Sequence, residues 1–256
     1  MLILGKSGDK MKYFLDTTGT IPDGVGFKQY GLLHIVWLVI FIATLIIVSR
    51  IYKKSDSIKR DKIRKIVAGL IVFDEIWKMF FLTIGGRYKW EYLPLHLCSI
   101  NIFIIAYHCF RPNKTMGNFL YLVGIPGAVA ALLFPSWVKL PLMNFMHLRS
   151  FTIHTLLVLY PVMLTYAGDI KPEVKYLPKC IALLLAFAVP AIIANELLGT
   201  NFMFLAEASA GSPLIIFENL WGNHLLGYPV LIGLVIIIMY GPILIKNRRK
   251  KNDKRS

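Results

Sequence analysis

Cys98 and a set of intramembrane histidines are the residues of this chain best suited to covalent chemistry. Cys98 closes the run Leu93-Pro94-Leu95-His96-Leu97-Cys98. Proline suits the first helical turn, where its missing N–H costs nothing. A helix is therefore predicted to open at Leu93 and to hold Cys98 near its positive end, which favours a thiolate. His96 is two residues away and points to another face; Asn101 shares the Cys98 face. A base for Cys98 must then come from a different helix. His147 and His154 are seven apart with Ser150 between them, one stripe at the same depth. Histidine is matched to activating a thiol near neutral pH. Cys98 and His154 are the catalytic candidates, with His147 as the fallback base. The plainer alternatives are a cysteine acting as a small buried hydrophobe and histidines acting as interhelical hydrogen bonders.

A second group would bind rather than react. Asp74, Glu75 and Lys78 fall inside an apolar stretch. Either acid can pair with Lys78 at three or four residues' spacing. Each such charge alone costs about 2.5–3.5 kcal/mol at mid-membrane on the insertion scale. An ion pair locking two helices accounts for them, and so does a pocket wall for a polar headgroup. His34, one turn into the first helix, and His96, His147, Asn195, Glu196 and Asn201 lie at the same depth and complete the candidate binding set. Asn101 or Asn195 could donate to a developing oxyanion. No metal site is expected: two histidines lack a third ligand at a diagnostic spacing. No cofactor motif such as a P-loop is present. Three cysteines without paired spacing argue against a disulfide framework.

The elements that must position these residues are membrane helices. The 256 residues are 56% hydrophobic with mean hydropathy +0.61, against roughly 45–50% apolar in soluble domains. A spanning helix needs roughly 20 mostly apolar residues. Segments at about 29–51, 63–85, 93–110, 117–138, 145–167, 176–198 and 226–245 meet that need. The expected fold is all-α: a polytopic seven-transmembrane-helix bundle over 29–246, with an external N-terminal tail at 1–28 and a basic cytoplasmic tail at 247–256. Gly117, Gly124, Gly127 and neighbouring alanines mark the fourth helix as a close-packing element, with a kink expected at Pro126. The segment after Gly199, to about Tyr228, reads as an external lid or a short interfacial helix.

The net charge of +15 is no sign of nucleic-acid binding, because the basic residues sit at helix boundaries. With the N-terminus outside, the inner segments carry 20 Lys and Arg and the outer ones eight. The positive-inside rule then sets the N-terminus outside and the C-terminus in the cytoplasm. The localisation expected is the cell membrane, with membrane phospholipids as partners. The oligomeric state is left open by the sequence. In this orientation the polar residues gather in the outer half of the membrane, with no comparable cluster near the inner face.

Phe27…His34, the Leu93–Cys98 run, His154, and Asn195…Gly199-Thr200-Asn201-Phe202-Met203-Phe204-Leu205 resemble the YwaF-like bacterial multi-pass membrane family over about 27–246. The chain is also distantly similar to a eukaryotic seven-helix family that transfers fatty acyl chains onto lyso-ether-phospholipids. That resemblance implies Cys98 as nucleophile and His154, or His147, as its histidine. Ser99 follows the cysteine here, where the eukaryotic relatives are expected to carry histidine. The leading expectation is a cysteine/histidine-dependent acyltransferase or acyl hydrolase of the outer leaflet, with Lys78 and His34 holding a phosphate. The main alternative is a transporter or binding protein with an outward pocket for a small polar solute. A third is an assembly partner whose polar cluster is structural.

Overall fold

The computed structural model describes residues 12–209 and 211–252. The first eleven residues and the last four of the basic tail lie outside them. The described residues are helical, without strands. The long helices are α1 (Leu32–Lys54), α2 (Ser57–Ile84), α3 (Leu97–Phe110), α4 (Lys114–Leu133), α5 (Phe145–Ala167), α6 (Leu177–Leu198) and α8 (Gly227–Asn252). The short α7 (Leu214–Trp221) lies between α6 and α8. Among the described residues, six segments are long and apolar enough to cross a membrane. The 28-residue α2 is long enough, but Asp74, Glu75 and Lys78 interrupt its apolar stretch.

The layers follow from the burial. α5 is the central rod: Phe151, Ile153, Leu157, Val158, Leu159, Tyr160 and Met163 are buried around its circumference. A helix that is apolar all round belongs inside a bundle. α1 packs along it most extensively, with α2, α3 and α4 closing the rest of its surface. α1, α6 and α8 instead leave faces such as Ile35, Val39, Val189, Ile193 and Ile237 exposed, as lipid contact requires. Glycines in the left-handed conformation end α5 (Gly168, φ 90°) and α6 (Gly199, φ 61°); glycine has no Cβ penalty there.

Two details depart from expectation. α3 opens at Leu97 rather than Leu93, because Leu93 precedes Pro94 and is extended (φ −56°, ψ 145°). Steric clash with the proline ring disfavours helix at that position. α4 carries its irregularity as a π-helical turn, Leu120–Gly124, just before Pro126. Such turns occur often at functional sites.

Residues 12–28, expected as a tail, are docked on the bundle. Asn144 Nδ2 donates to the carbonyls of Tyr13 (2.6 Å) and Asp16 (2.8 Å), and Phe145 N–H donates to Phe14 O. Arg87 pairs with Asp16 at 2.7 Å. Phe27 N–H donates to Val138 O, with Gly26 so close that a Cβ there would lie 2.0 Å from that oxygen.

Candidate functional site

The polar residues meet where α2, α3 and α5 converge, at the bundle end opposite the α1–α2 turn. Cys98 is the second residue of α3, whose N-cap, His96, makes no side-chain cap. The first N–H groups of a helix have no partner within it, so Cys98 stands beside open backbone donors and the positive end of the dipole. Cys98 makes no hydrogen bond among the described residues. Asn101, one turn on, is 1% exposed, and neither its amide nitrogen nor its oxygen has a partner. It faces the π-turn: a Cβ on Gly124 would lie 3.5 Å from its Oδ1. Burying a carboxamide unsatisfied costs about 1–3 kcal/mol, so Asn101 is poised for a partner.

His154 Nδ1 lies 2.6 Å from Ser150 O. A carbonyl only accepts, so Nδ1 carries the proton and the Nε2 lone pair is left free. The ring stacks on Trp137, centroids 5.2 Å apart, and the buried Trp137 Nε1 has no partner. Arg149 and His96 are both near enough to His154 for their charges to act on it, and Arg149 is near enough to act on Cys98.

The other two helix-embedded histidines of this end are fully engaged. His34 accepts from Tyr30 N–H (2.9 Å) and donates to Leu132 O (2.8 Å). His147 donates from Nδ1 to Leu140 O (3.0 Å) and accepts from Trp37 Nε1 (3.0 Å). Both are fully buried and have no nitrogen left for a proton transfer or a phosphate.

The charges form one network. Arg149 Nε bonds Asp74 Oδ2 at 2.7 Å, its second terminal nitrogen bonds Glu75 Oε2 at 2.6 Å, and Lys78 Nζ bonds Glu75 Oε1 at 2.6 Å. Lys78 also donates to Tyr92 O at 3.3 Å. Two acids and two bases neutralise each other, which a low-dielectric setting demands. Arg149 is absent from the sequence-based set because it reads as an outer-loop charge. Its signal was its place inside the apolar run of α5.

Asn195, Asn201 and His96 build a roof. Asn195 holds Phe202 through both its N–H and its carbonyl (2.6 and 3.1 Å) and accepts from Thr200. Asn201 ties its own turn to Ala206 and Glu207. Met203 and Phe204 have φ of 55° each, a strained conformation for residues with a Cβ. Tyr228 and His224 hold their carbonyls at 2.7 and 3.0 Å, and Met203 N–H donates to His96 Nδ1 at 3.3 Å. The segment expected as a lid thus touches the cap of the Cys98 helix. Glu196 is exposed and joins none of this.

The basic end has polar structure of its own, contrary to expectation. Tyr52 Oη donates to Asp169 (2.6 Å), which faces Arg60 (3.4 Å), and the buried His108 bonds Tyr160 Oη (3.1 Å). Residues that read as topology signals are packed here between α1, α2 and the end of α5.

The helical fold and its six long apolar helices define an all-helical, multi-pass membrane protein. Residues 29–240 match the TMEM164 family, and the chain belongs to that family. No curated protein and no solved structure matches the chain.

Proposed function

We propose that this protein is a lipid-modifying enzyme of the cell membrane that moves an acyl group through a thioester on Cys98, at the outer leaflet. Three features support this reading: Cys98 in the first turn of α3, Asn101 one turn on and buried without partners, and, on α5, a His154 ring oriented by Ser150 with Nε2 free. His154 Nε2 takes the Cys98 proton and the thiolate attacks the ester carbonyl. The first-turn amides of α3 and Asn101 Nδ2 stabilise the oxyanion. Its collapse expels the lyso-lipid alkoxide, which takes the proton from His154. An acceptor hydroxyl, or water, then gives its proton to His154 and attacks the thioester, and Cys98 leaves as thiolate and is reprotonated. The reaction starts from an existing acyl ester and so needs no nucleotide. In this reading the lipid enters by the open cleft of about 490 Å³ between Tyr88–Glu91 and the end of α6.

The test is the intact mass of purified protein incubated with host lipid extract. Wild type is expected to gain one acyl mass that hydroxylamine removes, and Cys98→Ala to gain none. A wild type that stays unmodified while Cys98→Ala supports normal growth would sink the enzyme reading.

The transporter reading keeps one support, the second polar cluster at the basic end, since alternating access needs polar groups on both sides of a midplane site. It predicts that substitutions at Tyr52 or His108 abolish solute uptake while Cys98→Ala does not.

A further inference from the structure

The roof turn after α6 packs on the start of α3, and its backbone is held where it would not rest alone. Met203 and Phe204 both have φ of 55°, the left-handed region, in which a Cβ crowds the following carbonyl oxygen. Such a conformation persists only where the surroundings over-determine it. Here the restraints come from two sides. Tyr228 Oη, at the start of α8, donates to Met203 O at 2.7 Å and to Phe204 O at 3.2 Å, and His224 Nε2 donates to Phe204 O at 3.0 Å. From the other side, His96 Nδ1 accepts from Met203 N–H at 3.3 Å, and the His96 ring lies against Phe204 with centroids 5.8 Å apart.

The same turn has a fixed root. Phe202 is fully buried, and Asn195 on α6 accepts its N–H at 2.6 Å and donates to its carbonyl at 3.1 Å. Root and tip therefore differ. Phe202 is locked to α6 through both backbone groups, while Met203 and Phe204 are half-buried and hang on two side chains from the α8 side and one long bond to α3. That bond falls on the N-cap of α3, two residues before Cys98. Segments that move to admit a ligand are drawn from parts of a fold held by few contacts. This one adds backbone strain that its latches must hold down.

We propose that residues 200–205 form a loaded lid on the start of α3: Tyr228, His224 and His96 latch it shut against the strain at Met203 and Phe204, and their release opens the way to Cys98. The lid serves the same end of the bundle as the acyl-transfer reading but does not rest on it, because access to a thiol is measured without any lipid turnover.

The experiment follows alkylation of the full chain by N-ethylmaleimide in a neutral detergent, with each cysteine read separately by peptide mass. Cys98 keeps accessible surface, whereas Cys109 and Cys180 are buried, so the latter two report general loosening. Tyr228→Phe removes the donor to two carbonyls and is expected to raise the Cys98 rate roughly tenfold, the scale of a lost hydrogen bond, with Cys109 and Cys180 unmoved. Tyr121→Phe deletes the same hydroxyl from another tie to α8, Tyr121 Oη to Met239 O at 2.7 Å, and leaves the Cys98 rate at the wild-type value. A pair of variants isolates the strain. Met203→Ala and Met203→Gly both shorten the side chain, but only glycine escapes the left-handed penalty. Met203→Gly should therefore alkylate at Cys98 about fivefold more slowly than Met203→Ala, a difference that poor folding cannot produce. Equal Cys98 rates in wild type and Tyr228→Phe overturn the proposal. So does a parallel rise at Cys109 and Cys180 in Tyr228→Phe, which makes Tyr228 a tie of the whole fold. Equal rates in Met203→Ala and Met203→Gly also overturn it, since no strain then works against the latches.

Discussion

At the residue scale, the decisive contrast is between polar groups that are satisfied and those that are not. His34, His147 and Asn195 share a depth with Cys98, yet every nitrogen or oxygen they present is engaged. Asn101 has the same burial and no partner at all. A group kept in that condition is either a defect or a device, and stability separates the two. Asn101→Leu removes a buried, unpaired carboxamide while keeping the branched outline of the side chain, so it is expected to leave melting temperature unchanged or to raise it. If Asn101 Nδ2 serves the oxyanion, the same variant slows formation of the Cys98 acyl adduct by about 10²–10³-fold, the usual effect of deleting one such donor. Melting curves and single-turnover adduct formation, measured together, decide. A variant that is more stable and equally fast makes Asn101 a packing defect.

At the element scale, the charge network couples α2 to α5. Asp74, Glu75 and Lys78 were legible from the sequence because charges inside an apolar run are conspicuous. Arg149 was not, because charge counting assigns it to the outer loop although it falls inside the span at 145–167, and packing pairs it with Asp74 and Glu75. The start of α3 was misplaced for a local reason: Pro94 fits a first helical turn, but its effect on Leu93 competes and wins. Only the Arg149 error was decided by neighbours distant in sequence; the α3 error lies between adjacent residues. The network makes a quantitative expectation. Arg149→Met leaves Asp74 unpaired and Glu75 with Lys78 alone, a net negative charge in a water-poor site. Removing one partner of a buried pair costs about 3–5 kcal/mol. Arg149→Met should therefore melt well below wild type, and adding Asp74→Asn to it should restore a large part of the loss. If the single variant melts like wild type, the site is wetter than the burial of these side chains implies.

At the scale of the whole molecule, the sequence reads as seven spans, six of which are long and apolar enough in the structure, while α2 is the element on which the topology turns. Its length suits a span, but its three charges lower the apolarity on which any span is recognised. Their cost is met within the bundle by Arg149 on α5, a compensation no window along the sequence contains. The consequence is a parity argument. If α2 crosses, seven crossings put the termini on opposite sides; if it lies at the surface, six put them on the same side. The charge bias, 20 Lys and Arg against eight when seven crossings are assumed, is the argument for the odd number, since only then do the α1–α2 turn, the end of α5 and the C-terminal basic run all face one compartment. Tyr52, Arg60 and Asp169 bring the first two of these together directly. Reporters active in only one compartment, fused separately to each terminus, should thus give opposite signals, with the C-terminus cytoplasmic. Matching signals would remove α2 from the membrane and move the Cys98 site to a position where α2 and α5 meet outside the lipid. An inverted pair would keep the seven crossings but assign the acyl chemistry to the inner leaflet.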